Sequence, residues 1–505
     1  MTAKTIMIQG TASSVGKSIV ATALCRIFKQ DGYRVAPFKA QNMALNSYVA
    51  REGGEIGRAQ AVQAEAAGVE PSIHMNPILL KPQADATSQV IVSGKAVNTL
   101  DATGYYNLSS NLLKIIASSL EKLRTEYEVI VIEGAGSPAE INLKSREIVN
   151  MRIARLVDSP VLLVGDIDRG GVFASIVGTM QLLNKKERAL IRGFIINKFR
   201  GNIDLLKPGL EFLTVRYSKP VLGVIPYIKQ VNIAQEDSVY LDERISTHNN
   251  GNLDIAVIRL PHISNYDDFD LLEKHCNITY IPQAGELGNP DIIILPGTKT
   301  TISDLIYLHE SKLADAILAK VKAGTPLIGI CGGYQMLGLR ILDPHSIESD
   351  VEEHKGLQLL DMETVFMEDK ITRQIQARVI TDTALFTGMK DMVVKGYEIH
   401  NGRPSNLGYS PIFNVTSLPG GHSSYDEGAV SENGLVCGTY LHGIFNNADF
   451  ACKLLKNLSS SRRKPYSGKV QLNKESDYDN LADLFRSNLD LKSIYNITFG
   501  GADAG

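Results

Sequence analysis

Thr5-Ile6-Met7-Ile8-Gln9-Gly10-Thr11-Ala12-Ser13-Ser14-Val15-Gly16-Lys17-Ser18 decides the reading of the first half of the chain. An apolar run, Thr5 to Gln9, leads into a loop of small residues and then into the helical pattern Ile19 to Lys29. Strand, small-residue loop and helix in that order aim successive backbone N–H groups and a helix N-terminus at one anion, which is the physical use of a phosphate-binding loop. Gly10, Thr11, Ser14 and Gly16 line the expected loop, Lys17 would neutralise the outer phosphates, and the Ser18 hydroxyl would bind Mg²⁺. One departure stands out: Thr11 occupies the usual first-glycine position, and Gly10 lies one place earlier.

Working outward, further short β-branched runs recur with amphipathic stretches between them: Arg34 to Phe38, Val129 to Ile132, Val161 to Val164, Phe194 to Asn197 and Val221 to Pro226. Apolar strands joined by helical crossovers imply a parallel α/β sheet. After the polar stretch Ser246 to Asn252 a second series begins, with Leu253 to Arg259, Asp291 to Leu295 and Pro326 to Ile330. Its later members, Leu357 to Phe366, Gln376 to Ile380, Gly428 to Val430 and Leu435 to Tyr440, leave little room for crossover helices and are expected as antiparallel additions to a second α/β sheet. The expected domains are 1–245 and 251–448, followed by a helical tail, 449–505.

The whole chain has 505 residues, which implies more than one core. Lys plus Arg number 52 against 55 Asp plus Glu, a net charge of -3, and no basic stretch is interleaved with aromatics, so a nucleic-acid groove is not expected. Nor is a membrane span, since no apolar run approaches about 20 residues. Met1 to Gly10 lacks the basic start and cleavage site of a secretory signal, so a cytoplasmic protein is expected. Five cysteines without a Cys-x-x-Cys pair argue against a disulfide framework or a zinc cluster.

Polar groups at strand ends are the next candidates, because open α/β sheets bind ligands there. Glu133, opening Glu133-Gly134-Ala135-Gly136-Ser137-Pro138, is a candidate second Mg²⁺ ligand. Asp166 and Asp168 follow the next strand and suit metal or substrate. Asn197, ahead of Lys198, offers an amide donor and acceptor for reading a nucleotide base. In the second half, Gly329-Ile330-Cys331-Gly332-Gly333 has the spacing of a nucleophile elbow with sulfur in place of oxygen, and a thiol at a helix N-terminus is favoured as thiolate. Cys331 is therefore the candidate nucleophile, whereas Cys25, Cys276, Cys437 and Cys452 read as structural thiols. A thiolate attacking an amide needs a proton donor for the departing ammonia, and spacing alone leaves His400 and His442 both open. The N–H groups of Gly332 and Gly297 are the candidate oxyanion donors.

Taken with Pro37 to Ser47, Gly53 to Gln60, Met75 to Pro82 and Gly134 to Leu143, these motifs resemble the cobyric acid synthase family over nearly the whole chain. The resemblance implies an N-terminal P-loop domain similar to dethiobiotin synthetase and a C-terminal class I-like, triad-type glutamine amidotransferase domain. It favours His442 as the base beside Cys331, with His400 structural or at the substrate-facing rim, and it brings in Lys39 as a phosphate contact and Glu55 as a metal contact. Triad glutaminases carry Glu two residues after the histidine, but Ile444 stands there, so Glu398 is the candidate to orient His442. The implied activity is ATP- and glutamine-dependent amidation of the b, d, e and g carboxylates of a corrinoid, adenosylcobyrinic acid a,c-diamide, with ATP and Mg²⁺ at the first site. A homo-oligomer is compatible with this reading. The related a,c-diamide synthases share both halves, and the stretches around Asn42 and Asn76 weigh against them. A partitioning-type switch ATPase with an inactive glutaminase-like half is a rival of another class; it typically adds a lysine early in the loop, and none lies between Gly10 and Gly16.

Overall fold

The computed structural model describes residues 2–84, 87–101, 109–228, 246–247, 253–406, 408, 410–416, 424–466, 468 and 473–500. They form two compact units, the first comprising Met1–Ala44, Ala50–Asp237 and Asn473–Gly505, the second Leu45–Val49 and Ser238–Leu472. Most of the polar stretch expected as a boundary, Ser246 to Asn252, lies outside the described residues.

In the first unit each apolar run read from the sequence becomes a strand: β1 (Lys4–Gly10), β2 (Val35–Phe38), β3 (Val129–Glu133), β4 (Val161–Asp166), β5 (Ile191–Phe199) and β6 (Val221–Pro226). They make one six-stranded sheet in the order β6-β5-β4-β1-β3-β2, parallel throughout. Every residue of β3 and β4 is buried, which is why these strands read as continuous apolar runs with no alternation. Register pairs Ile8 with Glu133 and Gly10 with Val164, so the loop after β1 and the acid ending β3 emerge at the same edge of the sheet. A separate four-stranded sheet contains Gln41–Met43, Ile78–Ala84, Thr87–Val92 and Lys95–Asp101.

The second unit has β7 (Asp254–Ile258), β8 (Asn277–Ile281), β9 (Ile292–Leu295), β10 (Leu327–Ile330) and β11 (Val436–Thr439), parallel in the order β8-β7-β9-β10-β11. Ser246–Thr247 and Ala429–Val430 add antiparallel edges. The expectation for the later strands needs correction. Val436–Thr439 joins the sheet parallel to β10, and Leu357 to Phe366 and Gln376 to Ile380 largely merge into one long strand, Met362–Val379. That strand pairs antiparallel with Val393–Asn406 in a sheet of its own. The register shift between Phe366 and Ile371, at the polar insert Glu368-Asp369-Lys370, is what makes the long strand look like two short ones.

The expected single tail is divided. Helix Ala448–Arg462 buries Phe450, Leu454, Leu455 and Leu458 in the second unit's core. Helix Lys474–Asn488 instead packs on the first unit, with Leu481 and Phe485 in the same cluster as Ile6, Ile8, Val20 and Leu24. Arg26 anchors it through Glu475 and Asp479, each at 2.7 Å. Among the described residues no helix is long and apolar enough to cross a membrane. Phe485 is fully buried, so Phe485→Ala should destabilise the first unit by about 3–5 kcal/mol. Hydrogen–deuterium exchange should then show lost protection in Lys4–Gln30 while Asp254–Ile330 stays protected.

Candidate active site

The loop between β1 and helix Lys17–Gln30 has the geometry of an anion cradle. Ser14 and Gly16 take left-handed backbone angles, φ 56 and 100, which turn their neighbours' N–H groups to one side. Gly16 is required on a second count: a Cβ there would lie 2.0 Å from the Asn197 amide nitrogen. That amide donates one N–H to the Val15 carbonyl at 2.8 Å, so Asn197 braces the loop. The Lys17 ammonium is held across the loop, donating to the carbonyls of Ala12 (3.0 Å) and Gly136 (3.1 Å). Lys198 ties Ser14 to Asp166, at 2.8 and 2.9 Å, and Asp168 pairs with Arg200 at 2.8 Å.

Glu133 is the hub of this site. It is 1% exposed, and its carboxylate accepts from the Ser18 hydroxyl (2.7 Å), the Lys39 ammonium (3.0 Å) and the Gln63 amide (2.5 Å). Burying an acid is costly unless its oxygens are this fully engaged. Glu55 is also buried and pairs with Lys81 at 2.5 Å. As a donor set for Mg²⁺, the hard oxygens of Ser18 and Glu133 fit a cation that takes few protein ligands and relies on substrate phosphates for the rest.

The second site lies at the ends of β9, β10 and β11. Cys331 follows β10 with φ 49 and ψ -108, a conformation that costs a non-glycine residue about 1–3 kcal/mol and persists only where the surroundings impose it. The constraint is visible: its N–H donates to Thr439 at the end of β11 (2.8 Å), and its carbonyl accepts from Gln335 (3.0 Å). The Cys331 sulfur lies 3.6 Å from the Ile399 carbonyl. Burial raises the thiols of Cys25, Cys276 and Cys437, which keeps them protonated and unreactive.

His442 is 1% exposed, and its Nδ1 lies 2.7 Å from an oxygen of Asp268, itself 2% exposed. A carboxylate only accepts, so Nδ1 donates to Asp268 and Nε2 is left to hydrogen-bond the Cys331 sulfur. The other Asp268 oxygen accepts from the Gly443 N–H at 2.6 Å. Burial works against a charged imidazole, but Asp268 and the adjoining Cys331 outweigh it and hold His442 up at about 10. These partners favour the imidazolium over the neutral ring. A Cβ built on Gly297 would lie 3.0 Å from His442 Cε1 and 3.7 Å from Cys331 Cβ, so this glycine leaves the space between imidazole and sulfur clear. Thr301 bonds Gln335 at 3.1 Å and Gln335 bonds Tyr440 at 3.3 Å, forming a polar row beside the sulfur.

These contacts correct the expected orienting group. Glu398 bonds Arg373 (2.6 Å) and the Tyr425 hydroxyl (2.8 Å), and Asp268 holds the histidine. His400 stacks on Tyr440 with centroids 3.7 Å apart, and burial pushes it down to about 3, leaving it neutral. Asp268 escapes sequence reasoning because it lies 174 positions from His442; the only signal is the acid-rich run Tyr266-Asp267-Asp268-Phe269-Asp270 in the loop region after β7.

Asp268→Asn keeps the shape but removes the charge, so glutamine hydrolysis is expected to fall about 10²–10⁴-fold. The base-side limb of its pH profile should move down, since His442 loses the charge that holds it high. Glu398→Gln should stay within about threefold of the parent, because its bonds serve Arg373 and Tyr425. Gly297→Ala should abolish turnover by filling the gap beside the imidazole, measured as glutamate release.

Comparison with known proteins agrees with both halves. Residues 6–239 match the CobQ/CobB/MinD/ParA nucleotide binding domain family, and residues 254–450 match the CobB/CobQ-like glutamine amidotransferase domain family. The chain is 54% identical over 496 residues to a cobyric acid synthase of Dehalococcoides mccartyi, covering 98% of this chain and 99% of that one. It is 49% identical over 505 residues to that of Desulforamulus reducens, covering 98% of each. With that of Moorella thermoacetica it shares 52% identity over 468 residues, 92% of this chain and 90% of the other.

Proposed function

The chain belongs to the cobyric acid synthase family and is an amidating enzyme of cobalamin biosynthesis, and from that premise we propose that it uses ATP to activate corrinoid carboxylates and glutamine to supply the nitrogen. The observation that carries this reading is the presence, in one chain, of a phosphate loop bound to a carboxylate hub and of a Cys331–His442–Asp268 set. A carboxylate is a poor electrophile at neutral pH, so its oxygen must first become a leaving group. ATP bound over Gly10, Thr11, Ser14 and Gly16 would pass its terminal phosphoryl group to a side-chain carboxylate, giving ADP and an acyl phosphate. Lys17 and Lys39 would offset charge on the phosphates. Mg²⁺, when bound with ATP, would neutralise phosphate charge, and Ser18 and Glu133 are the groups that would hold it. Ammonia then displaces inorganic phosphate and leaves the amide.

The second site supplies that ammonia. The Cys331 thiolate adds to the carboxamide carbon of glutamine, and the oxyanion is met by the N–H groups of Gly332 and Gly297. As the C–N bond breaks, the imidazolium of His442 gives its Nε2 proton to the departing ammonia, and the sulfur is left as a thioester. His442 then takes a proton from water, whose oxygen attacks the thioester and releases glutamate and thiolate. Asp268 keeps the ring oriented through both halves of this cycle. The proposed corrinoid substrate is adenosylcobyrinic acid a,c-diamide, amidated at its b, d, e and g carboxylates.

Incubation of the full chain with ATP, Mg²⁺, glutamine and the a,c-diamide should give four successive acid-to-amide mass changes. Cys331→Ala should lose glutamine-supported amidation and retain the reaction with ammonium. Lys17→Ala should lose both, as followed by product mass and ADP release. Retention of glutamine-supported amidation by Cys331→Ala would refute the assignment.

A further inference from the structure

Leu45–Val49 comes from the first half of the sequence yet belongs to the compact unit that holds Cys331 and His442. Its contacts converge on the two groups that flank His442. The Asn46 side-chain carbonyl accepts from the Asn265 N–H at 2.7 Å, and the Ser47 N–H donates to the Asn265 side-chain carbonyl at 3.0 Å. Asn46, Ser47 and Asn265 are all at most 3% exposed. Asn265 sits at φ 53, the left-handed region that asparagine tolerates, and its carbonyl accepts from the Asp268 N–H at 3.0 Å. This reciprocal clamp thus fixes the turn that carries Asp268.

Tyr48 reaches the other side of the same histidine. Its ring packs edge-on against Tyr397, centroids 5.3 Å apart, and the Tyr397 hydroxyl donates to the Ser47 carbonyl at 3.4 Å. Tyr397 in turn stacks on the His442 ring at 5.4 Å and 19°, and exchanges backbone bonds with it at 3.1 and 2.9 Å. The Gln374 amide fastens the segment by donating to the Val49 carbonyl at 2.9 Å.

We propose that Asn46 and Tyr48 are positioning residues for glutamine hydrolysis: Asn46, through Asn265, sets Asp268 against the edge of the His442 ring, and Tyr48, through Tyr397, sets the plane of that ring. The inference rests on the reading of Cys331 and His442 as the glutamine-hydrolysing pair. A misplaced Asp268 no longer holds the imidazole proton at high pH, whereas a simple loss of stability leaves that titration where it was. The titratable groups that face His442 are the Asp268 carboxyl and the Cys331 sulfur, with the Tyr397 ring stacked on it and His400, pushed down by burial, nearby.

The test is glutamate release from glutamine by the full chain between about pH 6 and pH 11. For Asn46→Ala we expect kcat to fall about 10–100-fold with KM within about threefold, and the base-side limb to move down by about one unit. Tyr48→Ala should lower kcat about tenfold, and Tyr48→Phe, which keeps the ring, should restore the parent profile. If Asn46→Ala does not give soluble protein, Asn265→Gly decides in its place, since glycine keeps the left-handed backbone and loses only the carboxamide. Parental kcat and an unmoved limb in Asn46→Ala, or in Asn265→Gly where it stands in, would overturn the proposal. A Cys331→Ala variant that still releases glutamate would instead overturn the reading beneath it.

Discussion

A charged imidazole buried beside a buried carboxylate is tolerable only if each satisfies the other, and the Asp268–His442 pair imposes that requirement on the second unit. Removing one member of such a pair strands the other, at a cost of about 3–5 kcal/mol, so the surrounding elements are committed to keeping them together. The turn Tyr266–Phe269 presents the acid, and the Gly443 N–H occupies the oxygen that the ring does not use. The buried acid Glu427 holds the approach to the histidine by accepting from Thr439 and from the Tyr440 N–H. Cys331, forced into an uncommon backbone conformation at the neighbouring strand end, lies beside the imidazole that Asp268 holds in place.

The phosphate-loop unit solves a similar problem with different groups. Glu133 is buried at the end of a central strand and is neutralised by Lys39 while Ser18 and Gln63 bond its oxygens. In both units a carboxylate that would be expensive alone is made tolerable by partners drawn from distant parts of the sequence. Both lie where parallel strands end and crossovers begin, the place at which a doubly wound sheet leaves backbone groups open to a ligand.

The parallel cores were legible in the sequence because their strands are buried on both faces and show up as unbroken apolar runs. Cys331 was legible for a local reason, the small residues required around a sharp strand-to-helix turn. Asp268 was not, since pairing across 174 positions leaves no trace in spacing. Glu398 looked apt because it sits in a histidine-bearing motif, but Arg373 and Tyr425 already claim its carboxylate. The amide of Asn197 was legible as a candidate base contact, but its packing beside Gly16 and its bond to the Val15 carbonyl were not, since they join residues far apart in sequence. The long antiparallel strands went unread because a polar insert at their register shift breaks the alternation.

Residues 45–49 are claimed by the unit whose main body begins at 238, while 473–505 return to the unit that began the chain. The polypeptide is therefore interlaced and not strung like beads. A gene cut once between β6 and β7 would encode two fragments, each lacking a piece of its own unit, 473–505 or 45–49, and each carrying the piece that belongs to the other.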